Sequence, residues 1–162
     1  MASDLTVLAS DGAHAIGVAD RVVAAVWRQP ITTAHVRSLV SASQGVSHKF
    51  PGEATLALLI EEKIPVPGDD VRKSMLDWIR VGKGLRCTAV VAEGSGFQQS
   101  LVRSVIAGLT LVVRPPTPIK VFPTVAEAAT WASKQGTPIG GAAVERAVRE
   151  VLEATRAKIT SK

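Results

Sequence analysis

Cys87-Thr88-Ala89-Val90-Val91-Ala92 runs into Glu93-Gly94-Ser95-Gly96, and an apolar stretch from Phe97 to Val113 comes next. The first six residues make the short, nearly continuous apolar run of a strand buried on both faces. Turn formers interrupt it, and then the spacing becomes helical. Leu101, Val105, Leu109 and Val112 repeat along one stripe, with Val102, Ile106 and Val113 on the next. Only Gln98, Gln99, Arg103 and Ser104 supply a polar face. A helix this apolar is expected to sit deep in its domain or to meet an apolar partner outside it.

The same strand pattern recurs towards the N-terminus. Val22 to Trp27 and Ala54 to Ile60 are apolar runs of strand length, and His14 to Ala19 precedes the first of them across Ala19-Asp20. Leu5 to Ala9 predicts a short strand closed by the turn signal Asp11-Gly12. Pro30 stops the Val22 strand, having no N–H for a ladder. Thr32 or Thr33 then caps a helix carrying Val36, Leu39 and Val40 on one face, and Gly45 to Gly52 is expected to be a loop. Glu61-Glu62 reads as an exposed pair. Asp69-Asp70 reads as the cap of a second helix, with Val71, Met75, Trp78 and Ile79 towards the core. Ile119 to Phe122 is a last strand, and Thr124-Val125-Ala126-Glu127 has the spacing of a capping box opening a helix that reaches Lys134.

Thr137-Pro138-Ile139-Gly140-Gly141 has the composition of a linker, and Ala142 to Lys158 continues as an amphipathic helix. Its stripe is Val144, Ala147, Val148, Val151 and Leu152. Strands alternating with helices predict an α/β fold: a mixed β-sheet with covering helices, plus an appended C-terminal amphipathic helix. The expected division is an N-terminal segment at 1–13 with a short strand, an α/β domain at 14–135, and a linker and helix at 136–162.

The hairpin at His14–Trp27, the strands at Thr55–Ile60 and Thr88–Ala92, and the run Val121-Phe122-Pro123-Thr124-Val125-Ala126-Glu127-Ala128 resemble the STAS-like domain family, in particular its SpoIIAA-like branch. The resemblance covers roughly residues 14–135 as a pattern of elements. It implies a regulatory or ligand-binding module without catalysis, in a family some of whose members are associated with membranes or apolar ligands. Partner-switching members carry a phosphorylatable serine between the third strand and the next helix. Here that connection, Glu61 to Asp70, holds no Ser or Thr, so a phosphate has no hydroxyl to join.

Composition narrows the remaining classes. The 162 residues are long enough to bury a core, 46% are hydrophobic, and the net charge is +5 with both signs mixed along the chain. No apolar run reaches the roughly 18 residues of a membrane span. The start lacks a basic-then-apolar leader, and a single cysteine suits a reducing compartment, so a cytoplasmic protein is expected. Arg72, Lys73, Arg80, Lys83 and Arg86 form the densest basic run, but Trp78 falls on the apolar side, and no nucleic acid is expected as a partner.

Gly94, Ser95, Gly96 and Phe97 lie where a helix N-terminus could meet an anion or other ligand. The motif is not a dinucleotide fingerprint, since Gln99 takes the third glycine's place, nor a P-loop. Ser95 as a hydrolase nucleophile lacks flanking glycines, and all three histidines precede it. His14, His35 and His48 show no ligand spacing with one another or with Cys87, so neither a metal nor a cofactor is expected. Cys87 reads as a small buried residue, and no catalytic group is assigned.

These readings lead to two main expectations about function. The leading one is a non-enzymatic regulatory or scaffolding module that binds an unidentified protein, including a second copy of itself, through Leu101, Val105, Leu109, Val144, Val148, Val151 and Leu152. The alternative is a domain binding a lipid, another apolar ligand or a membrane surface, with a small serine hydrolase as a third reading. For the C-terminal helix, packing back onto its own sheet competes with packing on a neighbour.

Overall fold

The computed structural model describes residues 5–61, 64, 67–81, 84–94, 96–112, 117–135 and 141–160. Its elements run β1 (Thr6–Ser10), β2 (His14–Ala19), β3 (Val22–Trp27), α1 (Thr33–Lys49), β4 (Ala54–Ile60), α2 (Asp69–Val81), β5 (Leu85–Ala92), α3 (Phe97–Val112), β6 (Ile119–Phe122), α4 (Val125–Ser133) and α5 (Gly141–Thr160). One six-stranded sheet has the order β1-β2-β3-β4-β5-β6. The first three strands pair antiparallel, and β3 to β6 pair parallel. This is the expected mixed α/β sheet.

The strand order explains where the helices lie. Three successive parallel crossovers move in one direction across the sheet, and each is expected to be right-handed, so their helices fall on one face. That face carries the larger core. Ile16, Trp27, Leu56, Leu58 and Ile60 meet Val36, Leu39, Met75, Trp78, Ile79, Val102 and Ile106 from α1, α2 and α3. The opposite face is left to the two helices that come after β6. There Val22, Val26, Leu59 and Val91 meet Ala128, Ala129 and Ala132 of α4 and Val144, Val148, Val151, Leu152 and Ile159 of α5.

The helix read as an appendage is therefore one wall of the domain. Its stripe lies on its own sheet, with Val148 and Leu152 fully buried, and is not left over for a second chain. β1 likewise joins the sheet beside β2. The expected linker lies outside the described residues, apart from Gly141, which opens α5. Small residues make the close approach of α5 feasible. Gly17, Ala24, Ala57 and Ala89 stand opposite one another across four strands, a row of the smallest side chains on the α4–α5 face.

Other local expectations shift for tertiary reasons. The loop expected from Gly45 is helix as far as Lys49, because Val46 and Ser47 are buried there. Burying those residues outweighs glycine's cost of about 1 kcal/mol in a helix. Ser43 and Ser47 satisfy their buried hydroxyls by donating to the carbonyls of Leu39 and Ser43, at 2.8 and 2.6 Å. Asp69 and Asp70 occupy the first turn of α2, where they complement the helix dipole. Thr124 caps α4, accepting from Glu127 N–H at 3.2 Å, but its hydroxyl, and not its backbone N–H, meets the Glu127 carboxylate.

On α3 the core side is Val102 and Ile106, whereas Leu101 is 42% and Leu111 84% exposed. Trp27 and Trp78 are buried, and Trp131 is partly buried against Phe122, with ring centroids 5.6 Å apart. Cys87 is fully buried, and burial pushes its thiol pKa up despite the nearby Arg86 charge and a Thr55 hydrogen bond. The native protein is expected to resist thiol reagents at pH 8 and to react only once unfolded. Stoichiometric labelling with dithionitrobenzoate before unfolding would contradict this.

Candidate functional site

The antiparallel hairpin and the first crossover build a concavity that no short motif announces. Ile16 and Val18 on β2, with Leu8 and Ala9 on β1, form its floor. Ala42 and Val46 on α1 form the facing wall. The cavity holds about 670 Å³, and among the described residues Arg37 is the one charged residue lining it, beside Ser38 and Ser41. Its opening comes from the order of elements. Here α1 covers β2 and β3 while β1 extends beyond it as an exposed edge strand, so the sheet protrudes past its helix layer.

At one end of this groove the chain gathers Asp11, His14 and His35. His14 begins β2 two residues before Ile16, on the same face of the strand. His35 lies one turn before Ser38 on α1. Their rings stack at 4.1 Å between centroids, tilted by 37°. Asp11 closes the β1–β2 turn, its Oδ1 accepting from the N–H groups of Ala13 and His14 at 2.7 and 2.8 Å. Its Oδ2 lies 3.0 Å from His14 Nδ1.

That contact is at ion-pair distance. Both ring nitrogens of His14, which is only 6% exposed, remain without a hydrogen-bond partner among the described residues. His35 N–H donates to Thr32 Oγ1 at 3.2 Å, and Thr32 N–H donates to His35 Nδ1 at 3.3 Å, a capping box with histidine in the acidic position.

Desolvation opposes ionisation of Asp11, but the Ala13 N–H, the His14 ring and the His14 N–H outweigh it and bring its pKa down to about 2. Burial, then the proximity of His14, lowers the pKa of His35 against the weaker pull of Asp11. The fold thus brings together two of the three histidines, which show no ligand spacing in sequence. His48 is exposed in the last turn of the same helix. Twenty-one positions separate His14 from His35, a spacing that matches no local motif.

A second polar cluster lies across the ends of β3, β4 and β5. Glu61 comes directly after β4 and is not the exposed residue expected. Arg28 donates to it through Nη2 at 3.1 Å, and Arg156 of α5 lies 3.3 Å away. Arg156 also donates to Glu93 at 2.7 Å. This chain of ion pairs ties α5 to the sheet. Each positive group here has a carboxylate within reach, so the cluster reads as structural.

The other sequence-derived site residues are dispersed. Gly94 and Gly96 flank the β5–α3 turn with φ of 104° each, a conformation that favours glycine. Arg103 holds this turn by donating to the carbonyls of Ala92 and Gly94 at 3.0 and 3.1 Å. Ser95 and the Phe97 side chain lie outside the described residues. The turn follows β5, three strands from β2 in the sheet order. Leu101 is exposed, Val105 and Leu109 are half-buried, and Val144, Val148, Val151 and Leu152 belong to the core.

The fold and site together define a six-stranded α/β domain with an apolar groove under its first crossover helix. No protein-family model matches this chain, and no curated protein matches it. One similar solved structure is the β subunit of geranyl-CoA carboxylase from P. aeruginosa, at 12% identity and a TM-score of 0.44. The likeness covers 94% of this chain and 33% of that one, so this chain spans about a third of that subunit's length. Among the described residues, no helix is long and apolar enough to cross a membrane.

Proposed function

We propose that this chain is a cytoplasmic, non-catalytic binding module whose ligand is an apolar chain with an anionic head, held between α1 and the β1–β2 hairpin. The observation that carries the reading is the groove itself. Its volume of about 670 Å³ falls within the roughly 300–1,000 Å³ of small-molecule sites, and its lining is mostly aliphatic with a few polar groups. Arg37, the one charge among the described lining residues, supplies the counterpart for a carboxylate, with Ser38 and Ser41 beside it. The resemblance to STAS-like domains, which rests on the elements from β2 to α4, agrees with a regulatory module that senses such a ligand.

The test is uptake of dodecanoic acid by native mass spectrometry and calorimetry, in the wild type and in Gly45→Trp. Gly45 lines the groove on an exposed part of α1, and an added Cβ there meets nothing within 4 Å. The indole can therefore fill the groove without breaking the core. One-to-one uptake lost in Gly45→Trp supports the proposal. No uptake by the wild type, or equal uptake by both, ends it.

A second reading, association with a protein or with another copy of this chain, draws on Leu101 and Leu111, the exposed leucines of α3. Sedimentation of the wild type beside Leu111→Glu tests it. A chain that stays monomeric at high micromolar concentration, or an assembly indifferent to the substitution, removes the self-association form of this reading.

A further inference from the structure

We propose that Asp11, His14 and His35 form a binding site for one divalent first-row transition-metal ion, with zinc(II) its representative. One donor atom from each residue can be chosen so that all three lie within 4.8 Å of one another. Three ligands on a common ion, with bonds of about 2.0–2.2 Å, stand closer together than this, and small side-chain rotations bring them there. The carboxylate is fixed by two backbone N–H groups on Oδ1, which leaves Oδ2 turned towards His14.

The buried His14 ring is the independent sign of a ligand. Its nitrogens have no hydrogen-bond partner among the described residues, and leaving buried polar atoms unpaired costs about 1–3 kcal/mol. The ion-pair contact of Nδ1 with Asp11 Oδ2 leaves Nε2 with no partner among the described residues. An ion accepting a lone pair from one His14 nitrogen and one from Asp11 Oδ2 gives both groups a partner, while the other ring nitrogen keeps its proton. His35, stacked on His14, supplies the third donor. If the ion takes its Nδ1, the long bond from Thr32 N–H is given up, while the bond from His35 N–H to Thr32 Oγ1 keeps the helix capped.

The donor set selects the class of ion. Two imidazoles and one carboxylate suit zinc(II) or iron(II) better than calcium or magnesium, which prefer all-oxygen shells. Three protein ligands leave a further coordination position for water or an anionic group. The site lies at the end of the apolar groove but does not depend on the groove having a ligand.

The test is calorimetric titration of metal-free full-length protein with zinc chloride, together with the visible spectrum of the cobalt(II) form. We expect one ion per chain with a Kd of about 1 µM or lower, and cobalt bands of a low-symmetry four- or five-coordinate site. His14→Gln, His35→Gln and Asp11→Asn each weaken binding by at least the roughly 10–100-fold that loss of a supporting partner costs a metal site. His48→Gln, altering the remaining histidine, leaves the affinity unchanged. Should His14→Gln fail to fold, His35→Gln decides, because its ring is partly exposed in the first turn of α1. A wild type with no binding below the millimolar range overturns the proposal. So does affinity unaffected by His35→Gln, or lost equally in His48→Gln. The dodecanoic-acid experiment contains no metal, so either result can fail alone.

Discussion

A chain ending at Gln135 is expected not to fold. The truncation removes α5, and with it Val144, Val148, Val151, Leu152 and Ile159, all buried on the α4–α5 face of the sheet. Each contributes on the order of 1.5–3 kcal/mol through burial before entropy is subtracted. Their loss also returns Val22 and Val26 to water and strips Glu61 and Glu93 of Arg156. Domains of this size are stable by only about 5–15 kcal/mol, so the uncovered sheet has no margin. Far-UV circular dichroism and size-exclusion chromatography of the truncated chain should report an unfolded or aggregated species. A cooperative thermal melt close to that of the full chain would show that the sheet does not need this wall. Leu152→Ala is the graded version, expected to cost about 2–5 kcal/mol in a denaturant titration, the range for a buried leucine.

Gly17→Val is expected to destabilise the fold by about 3 kcal/mol, the upper end of the usual cost of overpacking. Gly17 lies on β2 beneath α5, and a Cβ there would stand 2.4 Å from Thr155 Oγ1 and 2.8 Å from Leu5 Cδ1. Either α5 lifts from the sheet or Thr155 and Leu5 move, and Thr155 is fully buried. Gly17→Ala brings the same first contact with less bulk, so it allows a double-mutant cycle with Thr155→Ala. The Thr155 hydroxyl has no hydrogen-bond partner among the described residues, so its removal alone should cost little. In the cycle, Thr155→Ala should recover at least about 1 kcal/mol of the Gly17→Ala loss. Additive effects would mean that the close approach of strand and helix is not what glycine provides here.

These results bear on the groove and the histidine cluster through the same architecture. The hairpin that carries Asp11 and His14 is held from behind by α5, at the Gly17–Thr155 contact. A variant that moves β2 is expected to loosen His14 from His35 as well. Measurements on the metal site are therefore best made with substitutions at the site itself.

Much of the secondary structure was legible in the chain. Val22–Trp27, Ala54–Ile60 and Ile119–Phe122 read as strands because runs of Val, Ile, Leu and Ala of strand length lie between turn residues. Val71, Met75, Trp78 and Ile79 read as a buried stripe because they repeat at the helical period. Thr32 and Thr124 marked helix starts through their side-chain chemistry. All these signals depend on neighbours a few residues away, which is why sequence carried them.

What a stripe packs against is a different kind of fact. The stripe Val144–Leu152 is equally compatible with its own sheet and with another chain. Only the one-way march of three crossovers, which leaves the opposite sheet face bare, determines that it closes its own domain. Gly45 lies inside a helix because Val46 and Ser47 meet the core there, a gain no local propensity contains. Asp11 and His14 come together through a tight turn, but His35 reaches them only because β2 runs antiparallel to β3 and α1 returns over that pair. Glu61 likewise finds Arg28 and Arg156 through strand register and the docking of α5. The sequence by itself determined the elements and their apolar faces, since those depend on local periodicity and capping. The tertiary structure alone decided the partners of those faces and the site at the groove's end, since both depend on crossover direction and on register between distant segments.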